Sequence, residues 1–586
     1  MTVESTDSKA LSGCGYSECD ITPEKPMPLI GFYREKEKSE GVLKPLMAQT
    51  AVWENGDGSR FCLITVDSLG FTPALTNELR DKAADSIGTD RQHVMVCFSH
   101  THAAPDAADF STGYYAMACE RILKALNEAA NRIEPIRAGW GNTEIDIGVN
   151  RRQTDKDIDR RLGILKICQR DTGKLMLIIL RVTAHGNVLK RDNNSVSPDY
   201  FGDARELAEN RFDCPVMVIQ GAAGNVAPKY FHSEETPVDA TGEKYVRSET
   251  ALRDMGEAVV HGMEETVGQI IMDDCVIDAY SEYITLYSEV PDEKTAERVA
   301  AEAAENCWID GTAWLAEARK LREQKIVRQS DNVEVQYFRI GEGCLCGVPY
   351  EIMNEFALRA TEKLNDPYFY LNGYTNGCMT YFPTEEEFDR GGYEVYWSLL
   401  IYYIYFGRVF PFDRESAGML IDFAVRNCRD FKMEEREKSR LIFRRIGRDE
   451  TGRISELFAG VFMTEPWNDD WSDPEQLHAY LTDLTGQSNS LTYGLFEDGA
   501  LIGVSMGHIK HWYSGTEYCI EEFCIRKDRQ GQGIGSHFLR EIEKATAGLG
   551  LKQIFLQTES NVPAYEFYRK NGFHELNGHV SFAKRL

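Results

Sequence analysis

Short apolar runs rich in β-branched residues alternate with longer amphipathic segments over residues 15–412. The runs Val94–Phe98 and Val216–Ile219 have the length and composition of buried strands, whereas the stretch 251–271 has helical spacing. A further stretch, 292–326, is rich in Ala and Glu and places apolar residues three and four positions apart, which predicts a pair of surface helices. This alternation predicts an α/β architecture of mixed sheets covered by helices.

The pattern restarts after a strongly charged stretch at 430–440. The segment 454–462 is again helix-like, and the strand pattern that follows it differs from the earlier one. We place the boundary between about Ala417 and Lys438. This predicts an N-terminal domain over 13–415, a linker over 416–440 and a C-terminal domain over 441–586.

Composition limits the classes of function. With 586 residues, the chain is too long for one hydrophobic core, and its formal net charge of −28 argues against nucleic-acid binding, which requires a basic surface. The sequence contains no run of about 18 apolar residues and starts without the features of a secretory signal, so we expect a cytoplasmic protein without an integral membrane segment. The fifteen cysteines lack a CxxC pair and are predicted to be reduced thiols. The oligomeric state is not specified by the sequence.

Histidines and a carboxylate follow three predicted strands. His100 and His102 come after Val94–Phe98, and residues two apart on an extended chain share a face. Alone, this HxH pair is a weak signal, because paired histidines at a strand end are often structural. His185 follows a second apolar strand, and Glu351 follows a third. Histidine together with carboxylate suits a catalytic zinc ion, which keeps one position open for water.

Seven short motifs occur in the order found in one enzyme family, and through them residues 13–412 resemble the N-terminal zinc amidohydrolase domain of neutral/alkaline ceramidases. The motifs are Asp20–Pro23, Ser99–Pro105, Val149–Arg152, Ala184–Gly186, Gln220–Pro228, Val348–Glu351 and Tyr381–Glu394. The resemblance implies hydrolysis of an N-acyl amide, with Zn²⁺ bound by His100, His185, Glu351 and Tyr381. It also implies that His102, Arg151 and Tyr393 surround the substrate: His102 would orient it or move a proton to the leaving amine, and Arg151 would hold the developing oxyanion.

The chain departs from this family in two places. Ala227 stands where ceramidases carry a serine, which excludes a serine-dependent step at that position. In addition, an unrelated domain replaces the family's C-terminal immunoglobulin-like domain. These departures favour a smaller N-acyl compound over membrane ceramide as the substrate.

A glycine-rich turn joins a strand to a helix in the C-terminal domain. The strand 518–525 leads into Gln530–Gly535 and then into the helical segment 536–547. Such a turn by itself fits either a nucleotide loop or a tight connection. Together with the downstream segment 561–573, however, it resembles the GNAT acyltransferase superfamily, which has an α+β fold and binds acetyl-CoA.

This second resemblance implies several residue roles. The pyrophosphate of acetyl-CoA would be bound by Gln530, Gly531, Gln532, Gly533, Ile534 and Gly535. Asn561 would lie along the CoA arm, and Tyr568 would protonate the departing thiolate. Glu522 is the preferred base for the acceptor amine, and since neighbours on a regular strand point to opposite faces, only one of Glu521 and Glu522 is expected to face the acceptor. Five aromatic residues are candidates for the acceptor pocket: Trp467, Trp471, His511, Trp512 and Tyr513.

The leading hypothesis is therefore a bifunctional enzyme that hydrolyses an N-acyl amide and acetylates an amine. In one alternative, only the acetyltransferase is active and the N-terminal domain holds ligand. In another, the N-terminal domain is a non-catalytic, metal-dependent scaffold.

Overall fold

The computed structural model of the chain describes residues 12–229, 248–438 and 441–576, apart from residues 498, 514, 532, 560 and 561, and also residue 584. The chain divides into two compact units, and the division falls between Val425 and Arg426. No helix in the described part of the chain is both long enough and apolar enough to cross a membrane.

The N-terminal unit contains eighteen described strands, the helices α1–α8 and the first part of α9, which continues past the division at Val425. The strands are β1 (Gly13–Asp20), β2 (Gly41–Val42), β3 (Met47–Glu54), β4 (Arg60–Val66), β5 (Val94–Phe98), β6 (Glu134–Glu144), β7 (Gly148–Asn150), β8 (Arg161–Gln169), β9 (Leu175–Val182), β10 (Ser195–Val196), β11 (Val216–Gln220), β12 (Val226–Pro228), β13 (Ile277–Glu289), β14 (Arg328–Ile340), β15 (Gly343–Gly347), β16 (Glu351–Ile352), β17 (Phe369–Asn372) and β18 (Tyr381–Phe382). The helices are α1 (Pro73–Ile87), α2 (Tyr114–Ala130), α3 (Tyr200–Phe212), α4 (Glu249–Thr266), α5 (Glu293–Cys307), α6 (Thr312–Glu323), α7 (Asn354–Leu364), α8 (Leu399–Phe406) and α9 (Ser416–Lys438).

Eight strands form the main sheet, in the order β11-β9-β8-β6-β1-β3-β4-β5. Only two residue pairs join β1 to β6, so the sheet is effectively two halves. Helices α1 and α2 cover one half and α3 and α4 cover the other, while the opposite faces of both halves share one apolar core. Leu63 and Met95 of the first half, for example, belong to the same core as Ile179 and Ile219 of the second. This packing brings the carboxyl ends of β5, β9 and β11 together: the Gln220 side chain donates to the carbonyls of Ser99 (3.4 Å) and Ala184 (2.8 Å).

Smaller sheets complete the unit. One of them is a four-stranded sheet with the order β13-β14-β15-β17. The other three are two-stranded sheets, which pair β2 with β10, β7 with β12, and β16 with β18. The pair α5 and α6 confirms the prediction of two helices within 292–326. The segment expected to be a linker is itself the helix α9, whose residues Leu420 and Ala424 are buried.

The C-terminal unit has an α+β fold. It contains β19 (Leu441–Ile446), β20 (Ser490–Glu497), β21 (Ala500–Trp512), β22 (Gly515–Ile525) and β23 (Gln553–Leu556), with α10 (Thr451–Phe462), α11 (Pro474–Gly486), α12 (Ile534–Gly548) and α13 (Pro563–Lys570). The strands follow chain order in one sheet, and only β22 and β23 are parallel. Their pairing ends at Ile520 and Leu556, although β22 continues to Ile525. Among the described strands, none pairs with this side of the carboxyl-terminal half of β22.

Candidate active sites

His100 and His185 converge just beyond the ends of β5 and β9. Their ring centroids are 4.7 Å apart, and both side chains are buried. The Nδ1 atom of His100 lies 2.6 Å from the Leu69 carbonyl oxygen, and that of His185 lies 3.0 Å from the Ala223 carbonyl oxygen. Because a carbonyl oxygen only accepts, each Nδ1 carries a proton, and each Nε2 is the ring nitrogen that faces the site. Both Nε2 atoms face the same Glu351 oxygen, at 3.2 and 3.5 Å.

Glu351 and Tyr381 are placed by backbone pairing. They are direct register partners on the two short parallel strands β16 and β18. Side chains at paired positions of a sheet lie on the same face, so the carboxylate and the phenol are directed together. Tyr374 also reaches this carboxylate, since its hydroxyl donates to Glu351 Oε2 at 3.4 Å.

His102 joins the pair of histidines. Its ring centroid lies 5.0 Å from that of His100 and 5.3 Å from that of His185, and its Nδ1 is 3.1 Å from the Gly31 carbonyl oxygen. Gly31 has φ of +102°, and a Cβ there would lie 2.6 Å from His102 Nδ1, so only glycine permits this approach. Burial, together with neighbouring positive groups, lowers the pKa values of His102 and His185 well below the ordinary histidine value. Both rings are therefore neutral at pH 7.

Three buried polar atoms of this cluster have no hydrogen-bond partner among the described residues. They are His102 Nε2, His185 Nε2 and Glu351 Oε1. A buried polar atom without a partner is costly, and native structures satisfy nearly all of them. The ligand atoms of the three histidines lie within 4.8 Å of one another. Imidazole nitrogens converging with a carboxylate fit the donor set that Zn²⁺ takes in proteins.

Arg151 is tied to the Tyr381 hydroxyl. Its Nη2 donates to that hydroxyl at 3.1 Å and to the Gly224 carbonyl at 2.7 Å, and its Nε donates to Glu394 at 2.9 Å. Burial and the nearby Glu351 carboxylate raise the pKa of Tyr381 well above the usual tyrosine value, and Arg151 opposes this rise. Arg151 thus holds a positive charge against the Tyr381 hydroxyl.

Tyr393 lies beside Tyr381, with ring centroids 5.8 Å apart. It starts a π-helical turn, Tyr393–Trp397, directly after Gly391 and Gly392, whose φ values are +60° and +87°. Single π turns are rare and recur at functional sites. This irregular backbone aims the Tyr393 side chain at the cluster.

Ala227 directly follows Val226, whose carbonyl accepts the backbone hydrogen bond of His185 at 2.9 Å. It is buried on β12 and pairs with Val149 of β7. The turn before it approaches Glu351 closely, because a Cβ on Gly224 would lie 2.4 Å from the Glu351 carbonyl oxygen. Position 224 accordingly requires glycine.

Sequence reasoning missed Tyr374 and Cys378. Tyr374 has φ of +53° and packs its ring 4.5 Å from that of His100. The Cys378 sulfur lies 3.7 Å from His100 Nδ1. Tyr374 follows the buried strand β17 by two residues, so the strand-end criterion that selected His185 would also have selected it.

In the C-terminal unit, the expectation that Glu521 and Glu522 point to opposite faces is wrong. The pairing of β21 with β22 shifts between Met506 and Gly507, which leaves Glu521 as the extra residue of a β-bulge. A bulge re-aims the side chains that follow it. Glu522 therefore accepts a hydrogen bond from Tyr480, while Glu521 lies 3.3 Å from His508 on the same face.

Glu522 and Tyr568 have shifted pKa values. Burial raises the pKa of Glu522 to about 7, and Asp469 and Glu521 add to the shift while the Tyr480 hydrogen bond opposes it. Burial also raises the pKa of Tyr568 above the usual tyrosine value, with a contribution from Glu522. Near neutral pH, Glu522 thus exchanges a proton readily and Tyr568 keeps its own.

The glycine loop adopts the conformation that its composition requires. Gly531 and Gly533 have φ of +72° and +77°, which side chains other than glycine rarely adopt. Gly533 precedes α12 without a side-chain cap, so the first amides of this helix remain available for an anion. Gln530 donates to the Ile525 carbonyl at 2.8 Å, Ile534 is buried, and Gly535 packs against Phe567. The predicted residues Gln532 and Asn561 lie outside the described residues.

The five candidate acceptor aromatics do not form one group. Trp471 stacks on Tyr480 at 4.9 Å, next to Glu522, whereas Trp467 packs on Phe462 at 5.7 Å. Trp512 and Tyr513 are exposed at the hairpin between β21 and β22, where His511 is also exposed. Among these five aromatic residues, only Trp471 stacks on Tyr480, the residue that donates a hydrogen bond to the predicted base Glu522.

Comparison with known proteins supports the two-part organisation. Residues 454–573 match the model of the acetyltransferase (GNAT) family. The structure of a neutral ceramidase from Pseudomonas aeruginosa aligns with a TM-score of 0.55 at 18% identity, covering 71% of this chain and 74% of that one. A ceramidase complexed with C2 aligns with a TM-score of 0.54 at 17% identity, covering 73% and 76%. No curated protein sequence matches the chain. The chain thus combines a ceramidase-like fold with a GNAT acetyltransferase domain.

Proposed function

We propose that the chain is a bifunctional enzyme: the N-terminal unit hydrolyses an N-acyl amide with a bound Zn²⁺, and the C-terminal unit transfers an acetyl group from acetyl-CoA to an amine. The proposed zinc ligands are His100, His185, Glu351 and Tyr381. The observation that carries the first activity is the set of buried, partnerless donor atoms on His102, His185 and Glu351. A ceramidase-like fold around these residues supports it.

In hydrolysis, a bound zinc ion would supply an activated water and polarise the amide carbonyl. His102 is a neutral base whose free Nε2 is directed towards the other histidines. It takes a proton from the water whose oxygen bonds to the carbonyl carbon and passes that proton to the leaving nitrogen, so that the C–N bond breaks and a carboxylate and an amine form. Arg151 and Tyr393 flank the reacting carbonyl, and Arg151 balances negative charge through its contact with Tyr381.

In acetyl transfer, Glu522 removes a proton from the acceptor ammonium. The free amine attacks the thioester carbonyl, the carbon–sulfur bond breaks, and Tyr568 protonates the departing thiolate. The loop Gln530–Gly535 is assigned to the pyrophosphate through the amides that start α12, and the resemblance to GNAT enzymes assigns the CoA arm to Asn561. The pKa of about 7 at Glu522 supports this assignment, because a base works best when its pKa lies near the working pH.

The natural partners of the two sites are a small N-acyl compound and an amine acceptor. Fusion in one chain favours linked steps, such as removal of one acyl group followed by acetylation of the freed amine. In the alternative function, only the acetyltransferase turns over and the ceramidase-like unit binds ligand. Ala227, in place of the family serine, is the observation that favours this alternative.

The deciding experiment is metal analysis by mass spectrometry on protein purified without chelator, followed by assays of amide hydrolysis and of CoA release. We expect about one zinc per chain and hydrolysis that is lost on chelation while CoA release persists. Bound zinc without hydrolysis of any N-acyl amide would favour the alternative. Absence of bound metal would remove the hydrolase proposal.

A further inference from the structure

Two cationic side chains flank His102 at the edge of the N-terminal site, in a protein whose net charge is −28. Phe32 packs its ring 4.6 Å from the His102 ring. The guanidinium carbon of Arg34 lies 5.7 Å from the centre of that Phe32 ring, and the Lys190 Nζ lies 5.9 Å from it. A local concentration of positive charge next to a reactive group contrasts with the acidic character of the whole chain.

Arg34 donates its hydrogen bonds to neutral backbone carbonyl groups, which do not balance its positive charge. Its Nη2 donates to the His102 carbonyl at 2.6 Å and its Nε donates to the Asn193 carbonyl at 2.8 Å. Its Nη1 donates to the carbonyls of Leu29 and Ile30. These acceptors are neutral, and within the described ranges no acidic side chain forms a salt bridge with Arg34. The guanidinium therefore fixes the segment beside His102 and contributes a net positive field there.

Lys190 is carried on a turn that is firmly held. The buried Asp199 carboxylate accepts backbone hydrogen bonds from Val188 at 3.1 Å and Leu189 at 3.0 Å. Lys190 Nζ donates to the side chain of Asn187 at 3.2 Å. The ammonium is thus positioned by its turn, and it is only partly exposed. The ammonium is therefore held near the Phe32 ring, which itself packs on His102.

We propose that Phe32, Arg34 and Lys190 form an anion subsite, and that the preferred substrate of the N-terminal unit carries a carboxylate or phosphate on its amine portion. The subsite adjoins His102, the residue assigned to protonate the leaving nitrogen, so the anion lies on the amine side of the amide. Lys190 contacts the anion directly. Arg34 contributes positive electrostatic potential and fixes the backbone segment beside His102. This inference rests on the proposed hydrolysis, because His102 defines which side of the amide faces the subsite.

The test compares matched amides that differ in one charge. N-octanoylglycine and N-octanoylglycinamide form the carboxylate pair, and N-octanoyl-O-phosphoethanolamine and N-octanoylethanolamine form the phosphate pair. Since a hydrogen bond to a charged group contributes about 1.5–3 kcal/mol, we expect kcat/KM to favour the anionic member by about 10- to 100-fold. The pair with the larger ratio identifies whether the natural anion is a carboxylate or a phosphate. Ratios near one in both pairs would overturn the inference.

Variants of Lys190 show whether this residue causes the preference for anionic substrates. Lys190→Met keeps an unbranched apolar stem over Phe32 and removes the ammonium, so the ratio should fall to near one. Lys190→Arg should retain most of the preference. Lys174→Met removes a charge just before β9, at the opposite end of that strand from His185, and should leave the ratio unchanged. An unchanged ratio in Lys190→Met would contradict the assignment.

Binding separates this inference from the proposed function. If none of the four amides is hydrolysed, calorimetric titration of the same four compounds still measures the anion preference, while metal analysis decides the hydrolase proposal separately. Tighter binding of the anionic members by wild type, lost in Lys190→Met, would sustain the subsite without hydrolysis. Equal affinities for charged and neutral members would overturn it.

Discussion

The two candidate sites are built in opposite ways. The N-terminal site collects side chains from His100 to Tyr393, nearly 300 positions apart, and holds them in a buried cluster with fixed carbonyl partners. The C-terminal candidate site draws on residues from Glu522 to Tyr568 on one strand, one loop and one helix, and no other described strand pairs with β22 beyond Ile520 on its β23 side. The first site is thus prearranged by tertiary packing, whereas the second is a local motif that its substrates complete. The two sites should therefore respond differently to mutation and to pH.

The largest expected effect is the loss of hydrolysis with acetyl transfer retained. His185→Ala removes a buried proposed ligand and should reduce zinc from about one per chain to near zero, abolishing hydrolysis. Acetyl transfer should stay within about twofold, because the two sites belong to separate folding units and independent sites behave additively. Metal analysis and both assays on the same preparation provide the measurement. The matched control is His261→Ala, an exposed histidine on α4, which should keep its zinc. Loss of both activities in His185→Ala would show that the sites are coupled.

The converse variant is Tyr568→Phe. Removing the proposed acid should lower acetyl transfer by about 10²–10⁴-fold, the usual contribution of a positioned proton donor, and leave hydrolysis intact. Initial rates of CoA release would measure the loss. Tyr565→Phe is the matched control on the same helix, because the Tyr565 hydroxyl is bonded to Glu575. An equal loss in both variants would argue for a packing defect in α13 and against acid catalysis.

A smaller effect, about tenfold per pH unit, should appear in the pH profile of acetylation. Glu522 accepts a proton only when it is ionised, so kcat/KM should fall as pH drops below its pKa of about 7 and level off above it. Glu522→Gln should remove this acidic limb. Tyr480→Phe deletes the hydrogen bond that lowers the Glu522 pKa, so the limb should move to higher pH. An unmoved limb in Tyr480→Phe would assign the titration to another group.

The smallest expected effects concern glycines. Gly224→Ala would place a methyl group 2.4 Å from the Glu351 carbonyl oxygen and should cost about 1–3 kcal/mol of unfolding free energy, with weaker zinc retention. Gly533→Ala forces alanine to a φ of +77°, at a cost of about 1–2 kcal/mol, and should raise the KM for acetyl-CoA. Gly268→Ala, which has open space around its Cβ, should change neither property. Urea unfolding, zinc analysis and acetyl-CoA kinetics measure these effects.

Periodicity and composition predicted the parts of the fold that arise from local sequence. The buried run Val94–Phe98 is strand β5 with the same bounds, and α12 includes the predicted helix 536–547. The criterion of polar residues at strand ends selected His100, His185 and Glu351, and in the structure both histidine Nε2 atoms lie within 3.5 Å of Glu351 Oε2. These successes share one cause: a buried strand must be apolar along its length, so a polar residue just after it is conspicuous.

The sequence did not predict features that depend on a neighbouring strand. The bulge at Glu521 exists because β21 and β22 change register, and neither strand alone specifies that change. The Glu351–Tyr381 pairing depends on strands of two residues, which are too short to leave a periodic signal. Likewise, the hydrogen bonds from Arg151 to Tyr381 and Gly224 join loops that only tertiary packing brings together.

The two-residue pairing of β16 with β18 also affects how the gene can vary. Between the two strands lie 28 residues, which include α7 and β17, and the entropic cost of closing such a loop rises only slowly with its length. Insertions or deletions in the surface connections of this interval should therefore be tolerated. A slip of one residue within either strand would instead turn its side chain to the other face and separate the carboxylate from the phenol. Length variation among natural variants is accordingly expected between these strands and not within them.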